Sequence, residues 1–305
     1  MYVTSSARPV VSSPGKFRQF LQHHPLICYF ALTFGISWLG WLPYILSQSG
    51  FGVLPVSLSQ FALLPGAFLG PCLSGFLMTA ATDGKLGIRR LLRRFILWRV
   101  GWQWYLFNII VVPVSIFLGY LAIPGALAVL HNPFPQLFVV YPLFLILEIF
   151  TSGLAEEPGW RGFALPRLQT RYGALLGTVI LGVLWGCWHL PLFLTAWGNG
   201  GSWLDAVVFV VTTVGNAIMF TWVFNHTRGS LLMMILIHAA IDAYGSAMID
   251  TRLFPLHWTL QYNIPAQLLG FGVIPLVLII ATRGRLGYRQ TSSPEAMPVP
   301  NESEA

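Results

Sequence analysis

Charge is what this sequence most lacks. Of its 305 residues only 9% are Asp, Glu, Lys or Arg while 55% are hydrophobic, whereas an ordinary soluble domain carries roughly 25% charged residues. That excludes a conventional water-facing surface. Cysteine is also scarce: Cys28, Cys72 and Cys187 all fall inside apolar runs, which excludes an extracellular disulfide framework and leaves them as small packing residues. No short apolar segment with a cleavage site precedes the first long one, so the first span is expected to stay as an anchor. A fixed-period repeat and a separate soluble domain are lacking too. So are His-Glu-X-X-His and Gly-X-Ser-X-Gly, the signatures of helical zinc proteases and serine hydrolases.

What is present is a series of long apolar stretches, near residues 25–46, 61–81, 105–130, 137–157, 174–195, 206–224, 229–249 and 264–282. Each approaches the ~20 residues needed to cross a bilayer. They predict an all-α polytopic membrane protein, a bundle of about eight transmembrane helices. Residues 1–15 and 288–305 are polar, rich in Ser, Pro and Glu, and are expected to be disordered tails. Residues 16–287 then form one transmembrane domain.

The net charge of +7 does not point to nucleic acid, because the basic residues follow the alternation of loops. With the N-terminus inside, 16 of the 17 Lys and Arg fall on cytoplasmic segments and Arg252 alone is external. Both termini are therefore expected in the cytoplasm, in the cell (plasma) membrane, with lipids as partners. The segment Leu86 to Trp104 has two open readings, an amphipathic helix on the inner surface or a basic loop that sets topology. Trp102, Trp104 and Tyr105 would lie at headgroup level.

A few charges stand within the apolar runs, where each costs about 2.5–3.5 kcal/mol to insert. In Glu156-Glu157-Pro158-Gly159-Trp160-Arg161, Glu157 and Arg161 are i and i+4 neighbours and can pair, leaving Glu156 free as a general base or acid. The alternative is an interfacial helix end with snorkelling side chains. Pro158-Gly159 predicts a kink or helix end. His189 lies deep in the fifth stretch with Trp185 one turn before it, and His238 and Asp242 share a face of the seventh. Glu148 can line the edge of the same cavity or bond a neighbouring helix. Asn216 is read as an interhelical hydrogen-bonding residue. Cys187 and His189 point in different directions and make a poor thiol–base pair. Glu156, His189 and His238 also form a ligand set that zinc accepts.

These motifs resemble the CAAX-protease and bacteriocin-processing family of intramembrane glutamic endopeptidases, related to the type II CAAX prenyl protease. Glu156, Glu157 and Arg161 match its Glu-Glu-X-X-X-Arg motif. Trp185 and His189 match Phe-X-X-X-His, with Trp in place of Phe, and His238 and Asp242 match His-X-X-X-Asn/Asp. The likeness covers roughly residues 140 to 250, within an expected catalytic core of 137–250. It implies peptide hydrolysis without a metal or other cofactor: Glu156 and His189 would activate water, and His238 and Asp242 would stabilise the oxyanion, with Glu157, Arg161 and Trp185 supporting. An ionised aspartate cannot donate to an oxyanion, so the expected role of Asp242 is to orient His238. The implied substrates are lipidated proteins or peptide precursors, cut near the cytoplasmic side between the fourth, fifth and seventh spans. A zinc-dependent membrane protease using the same residues, a proton-coupled transporter and a non-enzymatic scaffold are the alternatives. The enzyme reading makes a structural demand: His189 lies about 24 Å along an ideal helix from Gly173. Tilt, a late start to the fifth span or continuation of the fourth helix toward Leu165 must bring Glu156 to it.

Overall fold

The computed structural model describes residues 15–131, 134–198 and 202–289. The expected tails, 1–15 and 288–305, lie almost entirely outside the described residues. Among the described residues there is no strand. Eight helices among these residues are long and apolar enough to cross a membrane: α1 (Pro25–Leu46), α2 (Gln60–Phe95), α3 (Trp102–Leu121), α4 (Pro135–Tyr172), α5 (Ala174–Leu194), α6 (Trp203–His226), α7 (Leu231–Asp250) and α8 (Leu256–Ala281). The chain is an integral multi-pass membrane protein of the all-α class.

α7 is the central helix, with Met233, Met234, Ile237 and Ala240 fully buried. α4 lies at the periphery for its first half, presenting Phe138, Val139, Leu143 and Ile146 outward as a lipid-facing surface requires. Apolar burial alone gives little drive for helix association in lipid, so close backbone approach and interhelical hydrogen bonds matter more. Ser37 Oγ and Trp41 Nε1 of α1 donate to Gly66 O (2.8 Å) and Leu63 O (2.9 Å) of α2. Asn108 Nδ2 of α3 reaches Met233 O of α7 at 2.9 Å. Thr178 of α5 donates to Thr221 of α6 at 3.0 Å. Asn216, by contrast, has a buried Oδ1 without a partner, so the interhelical bond expected of it is absent at that atom.

α2 and α4, with 36 and 38 residues, are each about 55 Å long at 1.5 Å per residue, nearly twice the ~30 Å hydrocarbon core. α2 breaks at Gly84, whose φ of 65° and ψ of −156° only glycine adopts readily. Beyond it the helix continues to Phe95, with Gly87 and Leu91 inward and Arg89, Arg90 and Arg93 outward. The Leu86–Trp104 segment is thus neither one surface helix nor a loop. It is amphipathic helix to Phe95, irregular through Gly101, then the start of α3.

α4 does not end at Pro158-Gly159. It runs on to Tyr172 through two π-helical turns, Ile149–Gly153 and Trp160–Ala164, with the α-helical Leu154–Gly159 between them. The helix thus passes through Pro158 with a π-bulge on either side of its segment, in place of the expected helix end. Gly159 has a packing reason: a Cβ there would strike the Pro71 carbonyl and the Tyr29 hydroxyl, and one on Gly75 would come within 2.9 Å of Gly159 Cα. α2 and α4 pack backbone against backbone at that point.

Alternate helix ends gather on two faces. The face where α1 begins and α8 ends is tied by Arg228 Nη2 donating to Arg99 O (2.6 Å). On the opposite face Ala196 N donates to Ser49 O (2.6 Å) and His131 N to Leu253 O (2.9 Å). Among the described residues every Lys and Arg belongs to the first, basic face, except Arg252 on the other and Arg161 buried at mid-height.

Candidate active site

Glu156 and Glu157 lie on the short α-helical segment between the two π-turns, and Gly159 lets that segment press against α2. Both carboxylates are buried, Glu157 completely. Their partners follow from helical spacing. Arg161 Nη1 donates to Glu157 Oε1 at 2.8 Å, the expected i, i+4 pair. Trp160, the i+4 neighbour of Glu156, donates from Nε1 to Glu156 Oε2 at 2.9 Å. Trp185 of α5 donates to the same oxygen at 2.7 Å. Glu156 is therefore not free in the sense expected: one oxygen is fixed between two indoles, and it is Oε1 that remains available. An indole N–H can only donate, so this pairing suits the carboxylate.

Arg161 is fully buried. Its Cζ lies 4.2 Å from the centroid of the Trp185 ring and 4.4 Å from that of Phe220. Nε and Nη2 have no hydrogen-bond partner, and the two π-faces take the place of hydrogen bonds for a cation removed from water. Trp185 thus acts twice, with its N–H on Glu156 and its face on Arg161.

The imidazoles are also oriented. His189 caps the regular part of α5 and its Nδ1 lies 3.0 Å from Trp185 O. A carbonyl only accepts, so Nδ1 carries the proton and a neutral ring keeps its Nε2 lone pair. Trp197 stacks on this ring at 5.6 Å and 16°. His238 Nδ1 donates to Glu157 Oε1 at 2.7 Å, while Nε2 lies 3.5 Å from Asp242 Oδ2. The orienting contact expected from Asp242 comes from Glu157 instead, at the other ring nitrogen, and Asp242 holds only a long ionic contact.

Glu156, His189, His238 and Asp242 border one cavity of about 850 Å³, together with Trp185. Its walls come from α1, α2 and α4–α8, so α6 and α8 extend the three-span site expected from the sequence. Glu148 lines it as expected, but its Oε2 accepts from Thr151 Oγ1 of its own helix at 2.6 Å and not from a neighbour. Continuation of α4 past Leu165 resolves the depth problem by placing the acidic pair at mid-height, within reach of the far end of α5. Among the described residues no three His, Cys, Asp or Glu converge closely enough to hold a metal ion, so Glu156, His189 and His238 do not form the zinc ligand set considered above.

Sequence reasoning missed Trp160 and the Glu157–His238 contact. The first carried a signal, since Trp160 follows Glu156 at the same spacing by which Arg161 follows Glu157. The second joins residues 81 apart and left no local trace.

Residues 138–244 match the family model of the type II CAAX prenyl endopeptidase, Rce1-like. The chain is also similar to CAAX prenyl protease 2 of Methanococcus maripaludis, with 25% identity over 228 residues covering 70% of this chain and 81% of that protein. The matched segment contains Glu156, Glu157, Trp160, Arg161, Trp185, His189, His238 and Asp242.

Proposed function

We propose that the chain, similar over residues 138–244 to the Rce1-like family of type II CAAX prenyl endopeptidases, is a membrane endopeptidase that hydrolyses a peptide bond of a membrane-associated or lipidated polypeptide with water activated by Glu156 and His189. The observation that carries this reading is the state of Glu156. One oxygen is locked by two indole N–H groups and the residue borders a cavity shared with both imidazoles.

In the proposed step, Glu156 Oε1 accepts a proton from water that also donates to His189 Nε2. The water oxygen bonds to the substrate carbonyl carbon, and the developing oxyanion is met by His238 Nε2, with Asp242 beside it. His238 can donate from both nitrogens as imidazolium, a form supported by a carboxylate at each: Glu157 at Nδ1 and Asp242 near Nε2. The C–N bond then breaks as Glu156 returns its proton to the leaving nitrogen, so protons balance and the carboxylate is regenerated. Glu157, Arg161, Trp160 and Trp185 hold the reacting groups in place. The relative's name adds prenylated CAAX segments as a substrate class. The strongly asymmetric basic residues support an orientation with both termini cytoplasmic, in the cell membrane.

The test is cleavage of a quenched fluorescent peptide library by purified protein in detergent, comparing wild type with Glu156→Ala, each with and without a chelator. Chelator-resistant cleavage lost in Glu156→Ala is expected. Chelator-sensitive cleavage would move the reading to a metal site, and no cleavage by folded wild type would reject it.

A further inference from the structure

The part of α2 beyond Gly84 lies away from the acidic and imidazole cluster, and at 100° per residue its side chains divide into three faces. Gly87, Leu91 and Arg94 form the packed face. Leu91 rests on the π-helical turn of α4 that carries Arg161: a Cβ on Gly162 would come within 2.7 Å of Leu91 Cδ1, and Arg94 Nη1 donates to Gly162 O at 3.3 Å. Leu92, with Ile96 just past the helix end, forms an exposed apolar face. Between these two runs a stripe of Leu86, Arg89, Arg90 and Arg93, spaced i, i+3, i+4 and i+7, which lines a cavity of about 240 Å³.

Like charges at these spacings repel and weaken a helix. Arg90 is also within electrostatic reach of Arg94 and Arg167. Asp83 is the one carboxylate among the described residues of the basic face, and Arg167 Nη2 already holds it at 2.6 Å. Among the described residues Arg89, Arg90 and Arg93 form no ion pair. Packing against α4 holds the backbone of the stripe in place, so the three charges stay gathered without a counter-charge.

The surroundings set the depth of the stripe. Trp98 and Trp102, 59% and 74% exposed, follow the helix, and exposed indoles beside apolar spans sit at headgroup level. Near the break at Gly84 the short helix Lys16–His23 is tied to α2 by Arg18 Nε donating to Ala81 O at 3.2 Å, and it leaves Phe17 and Phe20 exposed. A row of arginines flanked by exposed apolar side chains matches a phosphate with acyl chains beside it.

We propose that the Arg89, Arg90 and Arg93 stripe binds the phosphate headgroup of an anionic phospholipid in the leaflet that meets the basic face. The phosphate oxygens accept from the guanidinium forks, whose planar geometry suits two oxygens at once, while the acyl chains run along Leu92 and Ile96. The lipid supplies the counter-charge that the fold does not place there.

The full-length protein, purified in neutral detergent, is titrated with phosphatidylglycerol or phosphatidylcholine, and bound lipid is read by native mass spectrometry and by thermal shift. Phosphatidylglycerol is expected to bind about tenfold more tightly than phosphatidylcholine, and Arg89→Gln with Arg90→Gln and Arg93→Gln should abolish that preference. The same loss of charge elsewhere on the basic face, Arg283→Gln with Arg285→Gln and Arg289→Gln, should leave it intact. All six side chains are exposed, so neither variant disturbs the packing. Equal binding of the two lipids, or an equal loss in both variants, overturns the proposal, the second by reducing the effect to diffuse attraction by net charge. Displacement by inorganic phosphate at matched concentration would make a soluble anion the ligand. Binding that appears only after Glu295→Gln, Glu302→Gln and Glu304→Gln would give the stripe to the chain's own acidic tail. Either result also overturns the lipid assignment, and none of these measurements depends on turnover.

Discussion

Glu156 Oε2 accepts from two indoles, and the second of them stands where the resembled motif has phenylalanine. Phe at that position would keep a ring over Arg161 but lose the N–H. A hydrogen bond to a charged group is worth about 1.5–3 kcal/mol, so Trp185→Phe should lower kcat by about tenfold to a hundredfold with little change in KM. Single-turnover cleavage measures this, and an unchanged kcat would show that the indole N–H does not position the carboxylate. Glu157 carries a different burden. It is the shared acceptor for Arg161 and His238, so Glu157→Gln leaves a fully buried guanidinium without its counter-charge. Losing one partner of a buried pair costs about 3–5 kcal/mol, and the variant should show a markedly lower thermal unfolding temperature in detergent as well as lost activity. Loss of activity with unchanged stability would mean that Glu157 serves His238 alone.

At the scale of elements, the contact between α2 and α4 fixes where the acidic pair stands. Gly159→Ala places a methyl against the Pro71 carbonyl and the Tyr29 hydroxyl. Overpacking of this kind costs typically about 1–3 kcal/mol, and because backbone is on the receiving side, both stability and turnover should fall. A thermal melt and a cleavage assay on the same preparation check it. The sequence made the eight spans legible, since apolar length alone defines them, and the order of the three motifs made the cluster legible. Contacts within one helix, such as Glu157 with Arg161, could be read from spacing. Contacts between helices could not. Whether His238 meets Glu157 or Asp242 more closely depends on the relative rotation of α4 and α7. That rotation is altered by two π-turns which no residue pattern announced, and by Gly159, whose partner on α2 lies far away in the chain. Pro158-Gly159 stands out in the sequence, but in the fold it marks local widening and close approach in place of termination.

For the molecule as a whole, the distribution of basic residues fixes an expected topology. Reporter domains fused to the two ends should both be active on the cytoplasmic side, and an external signal from either would reverse the assignment of the faces. The transporter alternative also belongs at this scale. Alternating access needs a path that reaches both faces, whereas toward the basic face Phe163, Leu165 and Leu168 of α4 and Val223 and Phe224 of α6 are packed and buried. A cavity bordered by such a packed layer has an electrical consequence. Water filling the cavity brings the potential of the solution it meets to the acidic cluster, so the membrane voltage falls mainly across the packed layer. Moving a unit charge through the full membrane field is worth about 2.3 kcal/mol per 100 mV, but charges shifted at Glu156 or His238 would cross little of that field. Peptide hydrolysis in proteoliposomes should therefore proceed at the same rate whether or not a diffusion potential is imposed, and the membrane should hold that potential while the enzyme works.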